Sequence, residues 1–561
     1  MIGLDKLKNI DTPARYIGGE ARQCIKKNSG VTKRMCVAVP AIYEFGMFDF
    51  DLKDIYYTLN NNRNIWCERA FAPMLDFEKL LKVNNEKLYT LESKTPLKNM
   101  DGIVFVLSSE LMYTNMLNML NLGGIPILKE RRSEEAPLVI ATGSSILNPK
   151  PLEKFVDLYI IGEAALVIEN IVNKIDKRLS KQEMLNSMKD TPGVYIPGIT
   201  DGDVYMVRET DIDRKVEPKS VVIPLVKTIM DKSVIRVSSG CDKNCIMCAH
   251  KYAYGTPQYI SVDRALLNTK RIVDATGNTQ VAIMSNCYAA YPGFPEIIYR
   301  LNDLDKPKIK EVSFMDVKLN KDNLWLLKHM DNKEEYPSII VGAPTKELRH
   351  KLGIEIQDED VIYIAKEVFK VGFSKIRLKY IIGVPGETYE DFHKILNLAD
   401  KVCKVYKEVY SKSPDKFIVE VNLYNFKVSP HTPSQWCAVN TSENLELKVR
   451  YINEKNRNEN VIITSDNSKQ SVIANILSRG DEKIADVVYE AWKQGARHDM
   501  MAPLFSGDSW NLAFNITGVD MKNYIEQLNE KKLLPWDNIM VGTPKEELRR
   551  IYINNVKGDS K

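Results

Sequence analysis

The run Ser239-Gly240-Cys241-Asp242-Lys243-Asn244-Cys245-Ile246-Met247-Cys248-Ala249-His250 puts three cysteines on one short segment, spaced Cys-x3-Cys-x2-Cys. Three thiolates so close can each hold one iron of a [4Fe–4S] cluster and leave the fourth iron without a protein ligand. A zinc site asks for four ligands, commonly as two cysteine pairs. His250 would supply a fourth, but no second pair lies nearby. Disulfide pairing does not suit three adjacent cysteines, and the first residues, Met1-Ile2-Gly3-Leu4-Asp5-Lys6, lack the apolar core of a secretion signal. The remaining cysteines (Cys24, Cys36, Cys67, Cys287, Cys403, Cys437) are scattered and read as small buried hydrophobes. The expectation is a reduced, cytoplasmic and oxygen-sensitive protein.

With 561 residues, 44% of them hydrophobic and 27% charged, the chain has material for two to four domains with real cores. Lys and Arg number 78 against 74 Asp and Glu, so no strong positive field argues for nucleic acid. No run of 18 apolar residues predicts a membrane span.

Four parts are expected. Residues 1–175 carry continuous apolar runs at 35–39, 102–107, 138–142 and 158–161, separated by amphipathic stretches, which predicts a doubly wound, Rossmann-like parallel sheet. Ligands of such sheets sit beyond the carboxyl ends of the strands. Ser108, Gly143 and Glu163 follow those strands and are the candidate cofactor-binding residues there, the alternative being plain turns. Residues 176–232 read as a connector, a hairpin or a wrap-around clasp. Residues 233–440 hold strand candidates starting near 235, 281, 312, 338, 376 and 419 with helical stretches between, which predicts a partial (β/α)6 barrel. The cysteine loop follows its first strand, on the face where barrel chemistry collects. Residues 441–561 read as a helical C-terminal domain. The overall class is α/β.

Strings along nearly the whole chain resemble one group. They include Tyr16-Ile17-Gly18-Gly19-Glu20, Glu68-Arg69-Ala70-Phe71-Ala72-Pro73, Glu110-Leu111-Met112-Tyr113-Thr114-Asn115, Leu147-Asn148-Pro149, Gly383-Val384-Pro385-Gly386-Glu387, Pro430-His431-Thr432-Pro433 and Ser478-Arg479-Gly480-Asp481. With the cysteine loop, they resemble a poorly characterised bacterial branch of the radical SAM proteins that carry an N-terminal cobalamin-binding-like domain. The resemblance implies a [4Fe–4S] cluster on Cys241, Cys245 and Cys248, with S-adenosylmethionine (SAM) on the open iron. It implies SAM contacts from Met247, which replaces the family's usual aromatic residue, from Ser285 and Asn286, and from the strand end at Gly383 and Pro385. A small electron donor such as flavodoxin or ferredoxin is implied too.

Three departures accompany the resemblance. The segment after the first strand reads Pro40-Ala41-Ile42-Tyr43-Glu44-Phe45-Gly46, without the histidine that ligates cobalt in many cobalamin domains, so cobalamin binding stays open. Gly143-Ser144 stands where a pair of glycines is common. Gly342 stands where relatives carry a SAM-binding glutamate, and Glu347 comes too late to replace it.

Candidate catalytic residues are Lys379, a lysine in an apolar strand read as facing the barrel lumen; His431, an acid–base group or a structural histidine; and Tyr252, placed to line the substrate path. The expected activity is reductive cleavage of SAM to a 5′-deoxyadenosyl radical, with methyl transfer to an unactivated carbon if cobalamin binds. Alternatives are a methylthiotransferase-like RNA-modifying enzyme and a cluster-bearing SAM sensor with degenerate catalysis.

Overall fold

The computed structural model describes residues 4–215, 221–285, 291–304, 307–315, 317–330, 332–410 and 416–557. The apolar runs build the first sheet. β1 (Lys33–Val39), β2 (Ile65–Phe71), β3 (Gly102–Val106), β4 (Leu138–Thr142) and β5 (Leu158–Ile160) lie parallel in the order β2-β1-β3-β4-β5. β6 (Val194–Tyr195) adds antiparallel to β5. This is a doubly wound order whose switch point lies between β1 and β3. β2, β3 and β4 are buried at every residue, as a sheet covered on both faces requires.

β2 has no counterpart among the expected strands because it buries two charges. The Arg69 guanidinium is held between Glu20 Oε2 at 2.8 Å and Glu92 Oε1 at 2.7 Å, with the Tyr56 ring 5.2 Å away. Glu68 pairs with Arg34 and accepts from Thr90 Oγ1 at 2.7 Å. Charges so enclosed persist only when paired and hydrogen-bonded.

The stretch expected to be a connector divides. β6 completes the first sheet, while β7 (Val204–Tyr205) pairs with a strand close to the C-terminal end, so the stretch is a clasp rather than a hairpin.

The barrel strands follow. β8 (Ser233–Arg236) continues through Val237 into β9 (Ser238–Ser239), which pairs antiparallel with β10 (Gln258–Tyr259) and brackets the cysteine loop. β11 (Gln280–Met284) lies between β8 and β12 (Glu311–Phe314) in one parallel sheet. β13 (Ser338–Gly342), β14 (Lys375–Ile382), β15 (Ile418–Asn425) and β16 (Val461–Ser465) form a second one. A parallel bridge between Lys318 and Ser338 joins the two, with the Leu319 N–H donating to the Ser338 carbonyl at 2.7 Å. The six expected strands are present, and β16, from beyond residue 440, extends the arc.

The C-terminal region is mainly helical, with helices at Ser468–Ser478, Glu482–Lys493 and Gly507–Thr517, and contributes β17 (Ile539–Met540), the partner of β7. Its joints with the first sheet use the strings quoted above. Asn148 Nδ2 donates to the Ser478 and Gly480 carbonyls at 3.1 and 2.7 Å. Thr114 Oγ1 donates to Asp499 Oδ2 at 2.7 Å, and the His498 N–H donates to Asn115 Oδ1 at 2.9 Å.

His431 belongs to this joinery. It is 7% exposed, its Nε2 lies 3.1 Å from the Leu147 carbonyl, and its backbone sits at φ +57°. Burial pushes its pKa down to about 4. An unfolded histidine takes its proton near pH ~6.5. Between that pH and the folded value the unfolded state binds the proton first, so stability is lost as acid is added, by about 3 kcal/mol across the window. Urea unfolding at a series of pH values should show this acid slope in the wild type and a clearly flatter one in His431→Gln.

Candidate active site

The cysteine loop is shaped by two glycines and by three other segments of the chain. Gly240 sits at φ +77°, where a Cβ would meet the Thr256 carbonyl at 2.5 Å, and the Cys241 N–H donates to the Gly255 carbonyl at 3.0 Å. Gly353, at φ +68°, leaves no room for a Cβ against the Asn244 carbonyl. Ile246 is fully buried. Its N–H donates to the Leu352 carbonyl at 3.0 Å, and its carbonyl accepts from the Ser434 N–H at 3.1 Å. Tyr252 is buried beneath the loop, its hydroxyl 3.4 Å from the Asn244 carbonyl, so it braces the cysteines from below. Cys245 and Met247 pack against an apolar cluster that includes Trp436, Leu534, Trp536, Leu548 and Tyr552.

The three thiols differ in exposure: Cys241 is buried, Cys245 half-buried and Cys248 exposed. The Cys241 and Cys245 thiols are both raised, burial leading and the charge of Cys248 adding to it. Burial, then Cys248 and Cys241, pushes the Cys245 thiol up to about 12. The Lys243 N–H points at Cys241 Sγ at 3.5 Å, a donor suited to a thiolate. Among the described residues no three His, Cys, Asp or Glu side chains gather tightly enough for a single metal ion. The donor set, all sulfur and all on one loop, has the chemistry of three corners of a four-iron cluster.

Beside the loop lies a cavity of ≈ 500 Å³, within the range of small-molecule sites. Its barrel wall is the carboxyl end of β8 and β11: Arg236, Ser238, Ser239, Met284 and Ser285, with His250 and Tyr254 from the helix after the cysteines. Ser238 Oγ and Ser285 Oγ share a hydrogen bond at 2.9 Å. The Gly240 N–H donates to His250 Nε2 at 3.1 Å. The opposite wall is the helix Phe50–Asn61 and the end of β5, with Asp51, Asp54, Tyr57 and Glu163. The structure thus gathers Ser285 and Glu163 at one cavity beside the cysteine loop. Asn286 lies outside the described residues.

Gly383 and Pro385 end β14, away from those cavity walls. Gly383 sits at φ +84°, its N–H donating to Glu387 Oε1 at 2.6 Å and its carbonyl accepting from Asn440 Nδ2 at 3.1 Å. Lys448 bonds both Glu387 and Asn440, at 2.6 and 2.8 Å. Asn440 and Lys448 carry no sequence signal for this buried bracket, because they stand 57 and 61 residues from Gly383 and Glu387 along the chain. Lys379 lies on the half-buried face of β14 with Arg377 and Ile381, its ammonium 5.3 Å from the Tyr424 ring. Gly342 sits at φ +87° after a bulge in β13, and a Cβ there would meet Ile354 Cδ1 at 2.8 Å, so a glutamate would require a repacked neighbour.

At the first sheet, Ser108 and Ser144 are exposed and tied together, Ser144 Oγ donating to the Ser108 carbonyl at 3.0 Å. Gly143, at φ +111°, is required by its close approach to the Leu107 carbonyl. Phe45, 41% exposed, follows β1 as these residues follow β3 and β4, so all belong to the carboxyl rim of the sheet. The nearby acceptors in the β1 turn are committed elsewhere: the Tyr43 hydroxyl accepts from the Leu225 N–H at 3.2 Å while donating to Glu20 Oε1 at 2.9 Å, and Glu44 is taken by Arg15 at 2.7 Å. A cobalamin on this rim would be held without a lower protein ligand from that turn.

Comparison with known proteins adds the following. The model for the radical SAM superfamily matches residues 235–399, and the model for the N-terminal region of radical SAM proteins matches residues 51–197. An uncharacterized protein of Methanocaldococcus jannaschii is 24% identical over 415 residues, covering 72% of this chain and 82% of that protein. A tRNA-2-methylthio-N(6)-dimethylallyladenosine synthase of Clostridium botulinum is 24% identical over 222 residues, 37% of this chain and 45% of the synthase. Among solved structures, the radical S-adenosylmethionine methyltransferase TsrM of Kitasatospora setae, with cobalamin and a [4Fe-4S] cluster bound, aligns over 72% of this chain and 77% of its own, at 11% identity and a TM-score of 0.49. No helix among the described residues is long and apolar enough to cross a membrane.

Proposed function

Taking the chain as the radical SAM protein that its two family matches make it, we propose that it abstracts hydrogen from a carbon of a small polar substrate held between its barrel and its N-terminal sheet. The observation that carries this reading is the cavity that joins the ends of β8 and β11, beside the cysteine loop, to the Phe50–Asn61 helix. When bound, the cluster and SAM supply one-electron reductive cleavage of the sulfonium.

This chain's own residues do the rest. Cys241, Cys245 and Cys248 would each hold one iron, on a loop pinned at Gly240, Gly353 and Ser434. The paired Ser238 and Ser285 hydroxyls offer polar contacts to the methionyl end of SAM. The Gly383 bracket of Glu387, Lys448 and Asn440 keeps the β14 end rigid. The N-terminal wall orients the substrate and limits the water that would quench a radical. A one-electron donor such as flavodoxin or ferredoxin would approach on the side where Cys248 is exposed. Methyl transfer is the finer outcome, and it depends on a corrin at the Phe45–Ser108–Ser144 rim.

The test is anaerobic. The protein is reconstituted with iron, sulfide and hydroxocobalamin, desalted, assayed for iron and corrin, and then given SAM and dithionite. About four irons per chain and 5′-deoxyadenosine are expected. Cys241→Ala, Cys245→Ala and Cys248→Ala should each lower 5′-deoxyadenosine by at least ~100-fold, since each removes one ligand of a three-ligand site. Retained corrin would direct the search to methylated products. A wild-type chain that assembles no four-iron cluster, or a Cys248→Ala chain that still cleaves SAM, would end this reading.

A further inference from the structure

The cavity's charges do not cancel. Three carboxylates face it, from Asp51, Asp54 and Glu163, against two cations, from Lys215 and Arg236. Two carboxylates are matched: Glu163 pairs with Lys215, and Asp54 lies 3.6 Å from Arg236. Arg236 is also held over the Phe50 ring at 4.8 Å. Asp49, just outside the cavity, spends its carboxylate as the cap of the Phe50–Asn61 helix, accepting from the Leu52 N–H at 3.0 Å.

Asp51 differs. It stands in the first turn of that helix, and among the described residues neither a hydrogen bond nor an ion pair engages its carboxylate. A helix N-terminus by itself favours a nearby carboxylate in its ionised form. Here enclosure wins: burial, then the charge of Asp49, raises the Asp51 carboxyl to about 7. A half-buried carboxylate without a protein donor is ready for a ligand that brings one. Its free oxygens open onto a space of small-molecule size whose other carboxylates are already paired.

We propose that Asp51 is the anchor for a protonated amine of the substrate, so that the site selects small amine-bearing molecules over acids. The proposal rests on reading the cavity as the substrate site. SAM takes the opposite wall, at Ser238 and Ser285, and the two ligands meet between the walls. An amine seated on Asp51 supplies both the missing donor and the missing positive charge, leaving the Asp54–Arg236 and Glu163–Lys215 pairs undisturbed.

The test uses the reconstituted protein without SAM. Isothermal titration is run with 1,5-diaminopentane and tryptamine, and with their acid counterparts glutarate and indole-3-acetate. The amines should bind at least about tenfold more tightly than the acids, a difference that Asp51→Asn and Asp51→Ser should abolish. Without ligand, Asp51→Asn should melt no lower than the wild type, because it removes an unpaired carboxylate. Equal amine binding by wild type and variants, a preference for the acids, or no amine binding to the wild type would overturn the proposal. So would a lower melting point in Asp51→Asn, which would mark Asp51 as a charge serving only its helix. 5′-Deoxyadenosine formation by the same preparation separates failure of the amine site from failure of the radical reading.

Discussion

Replacing Arg69 by methionine should lower the unfolding free energy by about 3–5 kcal/mol, a large share of what a domain has. Arg69 is 1% exposed and holds Glu20 and Glu92 at 2.8 and 2.7 Å inside the first sheet's core. Methionine fills the stem's volume but leaves two carboxylates buried without their cation. The variant's carboxylates must then titrate above the ordinary range, so its folded state binds protons more readily than its unfolded state. Its stability therefore falls as pH rises through that range, and its deficit should be larger at pH 8 than at pH 5. Urea unfolding at both values checks this. A loss below about 1 kcal/mol, no more than a solvent-exposed ion pair is worth, would mean that the triad is not the anchor of the sheet.

Gly353→Ala should leave a folded chain that cannot assemble its cluster. The residue combines φ +68° with a carbonyl, that of Asn244, where a Cβ would go. The conformation costs a non-glycine residue about 1 kcal/mol, and the clash adds to it by forcing the cysteine loop to shift. Iron per chain after reconstitution should drop to about a tenth of wild type or less, because cluster ligation tolerates little misplacement of three thiolates. Gly372→Ala is the control. Gly372 has φ +97° but open space around its Cβ, so it tests backbone strain alone and should keep its iron. If both variants lose iron equally, contact with Asn244 is not what shapes the loop.

The parts of this chain that were legible in its sequence are those whose cause is local. Cys241, Cys245 and Cys248 declare themselves because one loop carries the whole ligand set. β1, β3 and β4 declare themselves because an apolar run is its own signal, and β14 because polar and apolar residues alternate along it. β2 did not, since Glu68 and Arg69 in its middle are compensated by Arg34, Glu20 and Glu92, which lie elsewhere in the sequence. The helix Phe50–Asn61 looks amphipathic and ordinary, and only its placement against β8 turns Asp51 and Asp54 into a cavity wall. Ser434, Gly353 and Lys448 escaped for the same reason, each acting on a segment distant in sequence. His431 was visible as an unusual residue, but a string cannot say whether a histidine between prolines faces a cavity or, as here, the Leu147 carbonyl.

The pairing of β17 with β7, and the packing of Trp536, Leu548 and Tyr552 beside Cys245 and Met247, set an order of events during synthesis. A ribosome adds roughly 5–20 residues per second. The cysteines therefore leave the exit tunnel well before the segment that will flank them exists, and for that interval the loop's apolar side has no cover from residues 534–552. Docking of β17 then covers the apolar side of the loop and leaves Cys248 exposed, so a chain cut short before residue 534 would keep its three cysteines and lose the packing behind Cys245 and Met247.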